Sequence, residues 1–302
     1  TIGVGHGPIL NFNTQLWLDH YREWSKQRST GENYAVVCYL SQYGFCDRLS
    51  QAIAHGIGKA NAQVQLVDLI ASDTQELSAL ISEASAVVVP TWPIKSDSEL
   101  QSNIGTLLAS LKQKQWVATY DSYGGNEEPI DFITNQLRKL GQKEAFKPLR
   151  VRDEPNKSVY QQFEEAGTDL GQILTRKKNL AATKSLDGDL NKALGCLSGG
   201  LYIVTAKDNE GADSRDGAMV ASWVSQASFA PPGITVAVAK DRAIESLLQV
   251  NDRFVLNILQ ENNYLHLFRH FLKRFPPGAN RFEGVELMND LAAGGPVLSD
   301  AL

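Results

Sequence analysis

A short loop near residue 41 carries the residue types that hold an anion at the start of a helix. The β-branched run at 35–40 meets Ser41, Gln42, Tyr43 and Gly44, and an amphipathic pattern follows directly. This order of strand, tight loop and helix puts the loop on the free N–H groups of a helix N-terminus. The loop lacks the Lys of the ATP-type loop G-x-x-x-x-G-K-[ST], so backbone amides and hydroxyls would hold a phosphate. The phosphate of FMN suits it better than a nucleoside triphosphate, and an ordinary strand-to-helix turn is the alternative.

Two further loops of similar composition follow other predicted strands. Each has a hydroxyl and an aromatic side chain, and the last one adds two glycines. Aromatic rings from two loops can sandwich an isoalloxazine ring, while glycines let main-chain N–H groups approach its polar edge. We therefore expect the three loops to bind FMN together. The predicted FMN-binding residues are Ser41, Gln42, Tyr43, Gly44, Phe45, Cys46, Thr91, Trp92, Ser122, Tyr123, Gly124, Gly125 and Asn126.

Alternating strands and helices must position these loops. Because the strands are apolar without alternation, they predict a parallel sheet covered on both faces, and a flavodoxin-like doubly wound α/β fold of five strands in the order 2-1-3-4-5. Ligands of such sheets bind beyond the carboxyl ends of the strands, where the three loops should converge. The predicted strands are 35–40, 64–69, 86–89, 116–120 and 146–151, and the predicted helices are 47–59, 75–83, 99–111, 130–140 and 159–174.

Two other interpretations of this region fit the residues less well. A phosphoacceptor receiver needs acidic side chains at the ends of strands one and three to hold a magnesium ion, and residues 40–41 and 89–90 supply none. The glycines Gly56 and Gly58 lie at the end of a predicted helix rather than between a strand and a helix. We therefore interpret them as a helix stop and not as a dinucleotide-binding loop.

Composition excludes several classes of function. The net charge of −5 and the scattered Lys and Arg residues give no footprint for nucleic acid. No apolar run reaches the roughly 18 residues of a transmembrane helix, and the N-terminus lacks the order of a signal peptide, so we expect a cytoplasmic protein. The three cysteines are far apart, which argues against a disulfide framework or a zinc site. His266 and His270 lie one helical turn apart, but their basic neighbours indicate a solvated helix face.

The length of 302 residues suggests more than one domain. We place the sheet domain at 34–178, a polar linker at 179–189 and a second domain at 190–302. Short strands with turn signals predict that the second domain is a small, mostly antiparallel barrel, with one long strand at 218–229 and helices at 190–197, 243–250 and 264–275. The residues before 34 are predicted to form one strand and one helix, which cannot bury a core alone.

Motifs in all three segments together resemble flavodiiron proteins of the cyanobacterial, diflavin type. These are a G-H-G-P loop near the start, Y-L-S-Q-Y-G with Y-D-S-Y-G-G in the sheet domain, and M-V-A-S-W-V-S-Q-A-S-F-A-P-P in the barrel. The last is similar to the flavin-reductase split-barrel signature, as are N-I-L at 257–259 and R-F at 281–282. The resemblance covers essentially the whole chain.

The resemblance implies an NAD(P)H:oxygen oxidoreductase that reduces dioxygen to water. Electrons would pass from NAD(P)H through flavin to a diiron site in a metallo-β-lactamase-like domain, of which residues 1–33 would be the C-terminal remnant and His6 the last histidine ligand. A homodimer, or a hetero-oligomer with a homologous subunit, is implied as well. The flavin contacts implied in the barrel are Ser222, Ser225, Gln226 and Asn257.

The chain departs from the family pattern in three places. It lacks the H-x-E-x-D-H ligand run, so by itself we expect flavin reductase activity at most, and the barrel is expected to be truncated at its end. Phe45 and Cys46 stand where such loops carry Asn or Ser and then Thr. Since each buried donor lost costs about 1–3 kcal/mol, we expect weakened FMN affinity and a gain from Cys46→Thr. The alternatives are a stand-alone NAD(P)H:flavin or quinone reductase, and a flavin-poor subunit that serves assembly.

Overall fold

The computed structural model divides the chain into two compact units, Thr1–Glu32 and Asn33–Leu302. In the first unit the structure describes Gln15 and Leu18, both helical, so the predicted domain at 1–33 and His6 lie outside the described residues. The described residues are 15, 18, 33–41, 45–91, 98–123, 132–152, 154–185, 199–207, 216–248, 252–261, 264–288 and 294–301.

A parallel sheet forms the centre of the sheet domain, which we define as residues 33–185. Its strands are β1 (Tyr34–Tyr39), β2 (Gln63–Asp68), β3 (Ala86–Thr91), β4 (Trp116–Tyr123), β5 (Lys143–Glu144) and β6 (Leu149–Arg152). They lie in the order β2-β1-β3-β4-β5, and β6 also pairs with β4. The predicted doubly wound topology is therefore confirmed.

Helices cover both faces of this sheet. They are α1 (Cys46–Lys59), α2 (Thr74–Glu83), α3 (Ser98–Ser110), α4 (Phe132–Lys139) and α5 (Lys157–Ser185). Successive side chains of a strand point to opposite faces, so β1 places Ala35 and Val37 in one buried cluster with α1 and α5. It places Val36 and Cys38 in a second cluster with the other three helices. The sheet domain thus buries both of its faces with its own helices.

The predicted fifth strand at 146–151 is instead two short strands. The ladder with β4 continues to Ala145, whose N–H donates to the carbonyl of Val117, and resumes at Leu149. Between them Phe146 turns into the core, and Pro148 has no N–H to give to the ladder. The proline explains why one strand becomes two.

Glycines set the distance between α1 and α5. A Cβ at Gly56 would lie 2.0 Å from the carbonyl oxygen of Glu164, and one at Gly167 would lie 2.0 Å from that of Ile53. As predicted, Gly56 and Gly58 lie at the end of the helix, in the last turn of α1, which ends at Lys59 shortly before Asn61 with φ 57°. Gly56 lies inside the helix because α5 leaves no room for a side chain there.

Helix α5 is longer than predicted. It continues to Ser185 and therefore includes residues 179–185 of the predicted linker. That stretch contains helix-forming Leu, Ala and Lys, and neither Gly nor Pro until Gly188. Polar composition alone is thus a poor signal for the end of this helix.

The C-terminal domain, residues 199–301, is built from small antiparallel sheets, as predicted. The described residues form the sheets β11-β7-β8, β9-β10 and β12-β13. The predicted strand at 218–229 is broken into β8 and β9, and the predicted helix at 190–197 lies outside the described residues. The elements are β7 (Tyr202–Lys207), β8 (Asp216–Ala221), β9 (Val224–Phe229), β10 (Pro232–Val236), a 3-10 helix (Ala243–Leu247), β11 (Phe254–Ile258), α6 (Tyr264–Leu272), β12 (Leu287–Met288) and β13 (Val297–Leu298).

The core of the C-terminal domain lies on the two faces of β7. Ile203 packs in a cluster with Leu267 and Phe271 of α6. Val204, which points the other way, packs in a cluster with Ile244 and Leu247 of the 3-10 helix. Within the described residues, every helix of the protein is too short or too polar to cross a bilayer.

Candidate functional site

The carboxyl ends of β1, β3 and β4 lie side by side at one edge of the parallel sheet. Thr91 pairs with Asp121, and Val37 pairs with Val88, so the same register places Leu40 opposite Thr91. We call this edge the rim. Its described members among the predicted FMN-binding residues are Ser41, Phe45, Cys46, Thr91 and Ser122, together with the backbone of Tyr123.

Hydrogen bonds join two of the three predicted loops at the rim. The backbone N–H of Phe45 donates to Ser122 Oγ at 3.4 Å, which connects the loop after β1 to the end of β4. Thr91 Oγ1 donates to the carbonyl oxygen of Tyr120 at 3.4 Å and is buried. Ser41 is exposed, so its hydroxyl faces solvent at the rim. The structure therefore brings together the first and third loops as the sequence predicts.

The N-terminus of α1 lies at this rim, and the residue before it, Phe45, gives it no side-chain cap. Phe45 precedes the helix and its side chain accepts no hydrogen bond from it, whereas Asp73 caps α2 by accepting from Gln75 N and Glu76 N. The first N–H groups of a helix have no intrahelical partner, and they carry partial positive charge. An uncapped helix start of this kind fits the phosphate of a nucleotide cofactor.

Cys46 is the first residue of α1, and its side chain points into the core. It is 2% exposed, and burial, together with the charges of Asp121 and Asp47, raises the pKa of its thiol to about 12. The thiol is therefore protonated and uncharged at neutral pH. This orientation argues against a direct contact between the Cys46 side chain and a phosphate, and it leaves the backbone N–H as the contribution of this residue.

Tyr120 is a residue of this region that the sequence analysis did not single out. Its hydroxyl donates to the carbonyl oxygen of Cys38 at 2.8 Å and to that of Cys46 at 3.3 Å. It thereby fixes the start of α1 against the end of β1. The sequence contains a signal for this role, because Tyr120 ends a largely apolar predicted strand. A tyrosine hydroxyl buried there needs a hydrogen-bond partner.

The remaining predicted residues of the three loops are outside the described part of the chain. The side chain of Tyr123 belongs with them, although its backbone pairs with Arg152. Their assignment to the FMN site stays a prediction. They are Gln42, Tyr43, Gly44, Trp92, Gly124, Gly125 and Asn126.

Three of the four residues predicted to contact flavin in the barrel lie on one exposed stretch. Ser222 precedes β9, and Ser225 and Gln226 lie on it; all three are exposed. Ser225 Oγ lies 2.7 Å from Thr235 Oγ1 of β10. This stretch can present hydroxyl and amide groups to a ligand.

Asn257, the fourth of these residues, lies in a different sheet and is 1% exposed. Its Nδ2 donates to Ile203 O and Thr205 Oγ1, and its Oδ1 accepts from Leu298 N. These contacts hold β7, β11 and β13 together. If Asn257 affects flavin binding, it does so by positioning strands and not by a contact of its own.

Metal-ligating side chains do not cluster in the part of the chain that the structure describes: no group of three His, Cys, Asp or Glu residues there could hold an ion. His266 Nε2 lies 3.0 Å from Asp300 Oδ2, and His270 Nε2 lies 2.7 Å from the carbonyl oxygen of Arg281. His270 is half-buried and packs against Phe271 and Phe275, so the predicted solvated face describes His266 but not His270. Each histidine has a structural partner.

Comparisons with known proteins find flavin reductases and a flavodiiron protein among the proteins similar to this chain. Residues 194–302 match the family model described as a flavin reductase like domain. The solved structure of the metal-soaked Flv1 flavodiiron core from Synechocystis sp. is 28% identical, with a TM-score of 0.50, and the match covers 57% of this chain and 43% of that one.

Curated relatives match over the full length of the chain. It is 53% identical over 302 residues to "Diflavin flavoprotein A 1" of Synechocystis sp., and it covers 52% of that protein. It is 49% identical over 302 residues to "Putative diflavin flavoprotein A 3" of Nostoc sp., again covering 52%. The chain thus spans about half the length of the curated relatives it matches. The resemblance carried by the sequence motifs is confirmed: over its whole length the chain is similar to diflavin flavoproteins A of cyanobacteria, and residues 194–302 are similar to flavin reductases.

Proposed function

We propose that the sheet domain binds FMN at the rim and that the chain is a flavin-dependent electron-transfer module of an oxidoreductase. The observation that carries this proposal is the hydrogen bond from Phe45 N to Ser122 Oγ beside the uncapped start of α1. It joins two loops where a parallel sheet binds its ligands, next to N–H groups without helical partners.

Different groups of this chain would hold different parts of the cofactor. The N–H groups at the start of α1 and the hydroxyl of Ser41 would bind the phosphate. Ser122 would position the loop between β1 and α1 through its hydrogen bond to Phe45 N. The ring would lie against Trp92 and Tyr123, and the glycines after β4 would bring main-chain N–H groups to its polar edge. A bound flavin supplies the exchange between hydride transfer and single-electron transfer, while the protein orients it and tunes its electronics.

The C-terminal domain would receive reducing equivalents from NAD(P)H. Ser222, Ser225 and Gln226 would bind a flavin there, on the exposed stretch at β9. In the longer proteins of this family, electrons would continue to a diiron site that reduces oxygen to water, with His6 as one of its ligands. Assembly would be a homodimer or a hetero-oligomer with a homologous subunit.

The test is flavin binding by the 302-residue chain. We expect the purified chain to bind added FMN with quenching of flavin fluorescence, and to oxidise NAD(P)H when flavin is present. Ser122→Ala should weaken FMN binding about tenfold, since losing one hydrogen bond costs about 1–1.5 kcal/mol. Ser82→Ala, which removes an exposed hydroxyl that bonds only within α2, is the matched control and should leave binding unchanged.

A flavin-poor subunit that serves assembly is the second candidate function. The observation in its favour is the start of α1, where Cys46 offers no exposed hydroxyl and Asp47 places a carboxylate in the first turn. If this candidate is correct, the folded chain will take up no FMN, and Asp47→Asn will restore measurable binding by removing the charge that repels a phosphate. Cys46→Thr should alter FMN affinity less than Asp47→Asn, because its side chain would lie in the core.

A further inference from the structure

The sheet domain and the C-terminal domain meet through polar groups. Each hydrophobic cluster of the described residues lies wholly within one domain, and none spans the boundary. Among the described residues, the hydrogen bonds and ion pairs that cross it join charged or amide groups. They are Lys59 Nζ with Glu245 Oε2 at 2.7 Å, Arg274 with Asp169 at 2.9 Å, Arg281 with Glu165 at 3.3 Å, Gln172 Nε2 with Asp241 Oδ2 at 2.9 Å, and Gly278 N with Glu165 Oε2 at 3.1 Å. We call these the docking contacts.

Two acids on one side of α5 meet two arginines that follow α6. Glu165 and Asp169 are one helical turn apart, and so lie on the same face of the helix. Glu165 is 7% exposed, and the side chain of Arg281 is 12% exposed. Since a buried carboxylate without a partner is strongly destabilising, the surface that covers this face of α5 has to supply cations, and in the released form water solvates the two acids instead.

Lys59 forms an ion pair in which the sheet domain supplies the cation and the C-terminal domain supplies the carboxylate. It bridges Glu164 of its own domain and Glu245 of the C-terminal domain, and its side chain is 10% exposed. Burial alone would lower its pKa, but the hydrogen bonds to Glu164 and Glu245 raise the pKa of Lys59 above its ordinary value. Charge therefore alternates across the boundary, which fixes how the two domains align.

Between the docking contacts, the surfaces of the sheet domain and the C-terminal domain leave an unfilled space. A cavity of about 350 Å³ lies among them, with Thr168 and Gln172 of α5 on one wall and Met219, Ile244 and Phe271 of the C-terminal domain on the other. Interfaces that are polar and incompletely packed resemble transient protein contacts rather than a shared core. Water can enter this cavity and replace the docking contacts.

The docking contacts are far from the rim. Lys59 is the last residue of α1 and Cys46 is the first, and a helix of 14 residues spans about 20 Å. Among the described residues, no hydrogen bond or ion pair joins Ser41, Thr91 or Ser122 to the C-terminal domain. Docking at this face therefore leaves the rim uncovered.

We propose that the face of α1 and α5 bearing Lys59, Glu165 and Asp169 is a reversible electrostatic docking surface for the C-terminal domain of the same chain. The chain exchanges between a docked form and a released form in which the two domains no longer contact each other. Ionic strength sets the balance, because screening weakens the docking contacts while leaving the apolar core of each domain intact. The exchange holds whether or not either domain binds flavin.

Small-angle X-ray scattering of the full chain tests the proposal. The radius of gyration should rise by about 3 Å or more when the salt concentration is raised from about 0.01 M to about 1 M NaCl. Arg281→Glu should give the expanded form already at low salt. The double exchange Glu165→Arg with Arg281→Glu should restore the compact form.

Glu144→Arg is the matched control, since Glu144 is exposed on β5 and outside the docking contacts; it should remain compact at low salt. Circular dichroism confirms that each variant is folded, and the isosteric Glu165→Gln replaces Arg281→Glu if the latter is not. A radius of gyration that is unchanged by salt and by a folded charge variant would overturn reversible docking. In light scattering, a mass that is doubled at low salt and falls to that of a single chain in the Arg281→Glu variant would show that the docking surface instead binds the C-terminal domain of a second copy.

Discussion

The sheet domain and the C-terminal domain differ in how completely they bury their apolar side chains. In the sheet domain, every residue of β3 is buried, and helices of the same domain cover both faces. In the C-terminal domain, Trp223 and Phe229 at the β9–β10 hairpin are 75% and 83% exposed. Parallel strands need helical connections, and these helices bury the faces of the sheet. An antiparallel hairpin needs only a short turn, so it can form with one face exposed to solvent.

The largest effect is expected where α1 and α5 touch backbone to backbone. Gly167→Val would place side-chain atoms against the carbonyl of Ile53, so we expect it to destabilise the sheet domain by about 3 kcal/mol or more. The control is Gly58→Ala, which meets nothing within 4 Å and should stabilise α1 by about 0.5–1 kcal/mol. Urea unfolding followed by far-UV circular dichroism measures both. If Gly167→Val were tolerated, the close packing of the sheet domain would be wrong.

The next effect concerns the interior of the C-terminal domain. Asn257→Ala removes the contacts to Ile203 O, Thr205 Oγ1 and Leu298 N, and we expect a loss of about 2 kcal/mol in that domain's free energy of unfolding. Gln226→Ala on the exposed hairpin should change it by less than about 0.5 kcal/mol. If Asn257→Ala and Gln226→Ala lowered the free energy of unfolding equally, the prediction that buried Asn257 stabilises this domain more than the exposed hairpin does would be wrong.

Alkaline pH should weaken the sheet domain selectively. Burial raises the pKa of Cys46 to about 12 from 9.0, and it also raises the pKa values of Cys38 and Tyr120. Because the unfolded chain loses these protons first, stability is retained below about pH 9 and declines above it, by up to ~1.4 kcal/mol per pH unit for each group. Thermal unfolding in a series of buffers measures this decline. Cys46→Ala should make it shallower, and an unchanged slope would contradict the burial of this thiol.

The smallest effect on stability is expected at the hairpin. Trp223→Ser should change the free energy of unfolding of the C-terminal domain by less than about 0.5 kcal/mol, because the side chain has few contacts to lose. It should nevertheless reduce binding of a hydrophobic dye, since it removes exposed apolar area. A destabilisation above about 1.5 kcal/mol would mean that the ring packs within the protein, and the comparison between the two domains would fail.

Local patterns were sufficient to predict most of the sheet domain. The apolar run at 35–40 and the spacing of Leu49, Ile53 and Ile57 predict β1 and α1 to within one residue, because burial on both sides dominates those positions. The order of the strands followed from right-handed crossovers. The break between β5 and β6 and the extension of α5 were missed, since each depends on a boundary that periodicity alone locates poorly.

Long-range contacts at the site could not be predicted. The hydrogen bond between Phe45 and Ser122 joins residues 77 positions apart, and the pair of Glu165 with Arg281 joins residues 116 positions apart. The sequence gives the chemistry of each partner but not which partner it meets. The orientation of Cys46 was missed for a related reason, because the start of α1 turns this side chain towards Tyr120 and away from the loop.

Helix α1 has a separate task at each end. Its first turn opens at the rim, its last residue belongs to the docking contacts, and between them Gly56 presses it against α5. Because these two ends are about 20 Å apart, a substitution at Lys59 alters the docking contacts while leaving the N–H groups at the other end in place.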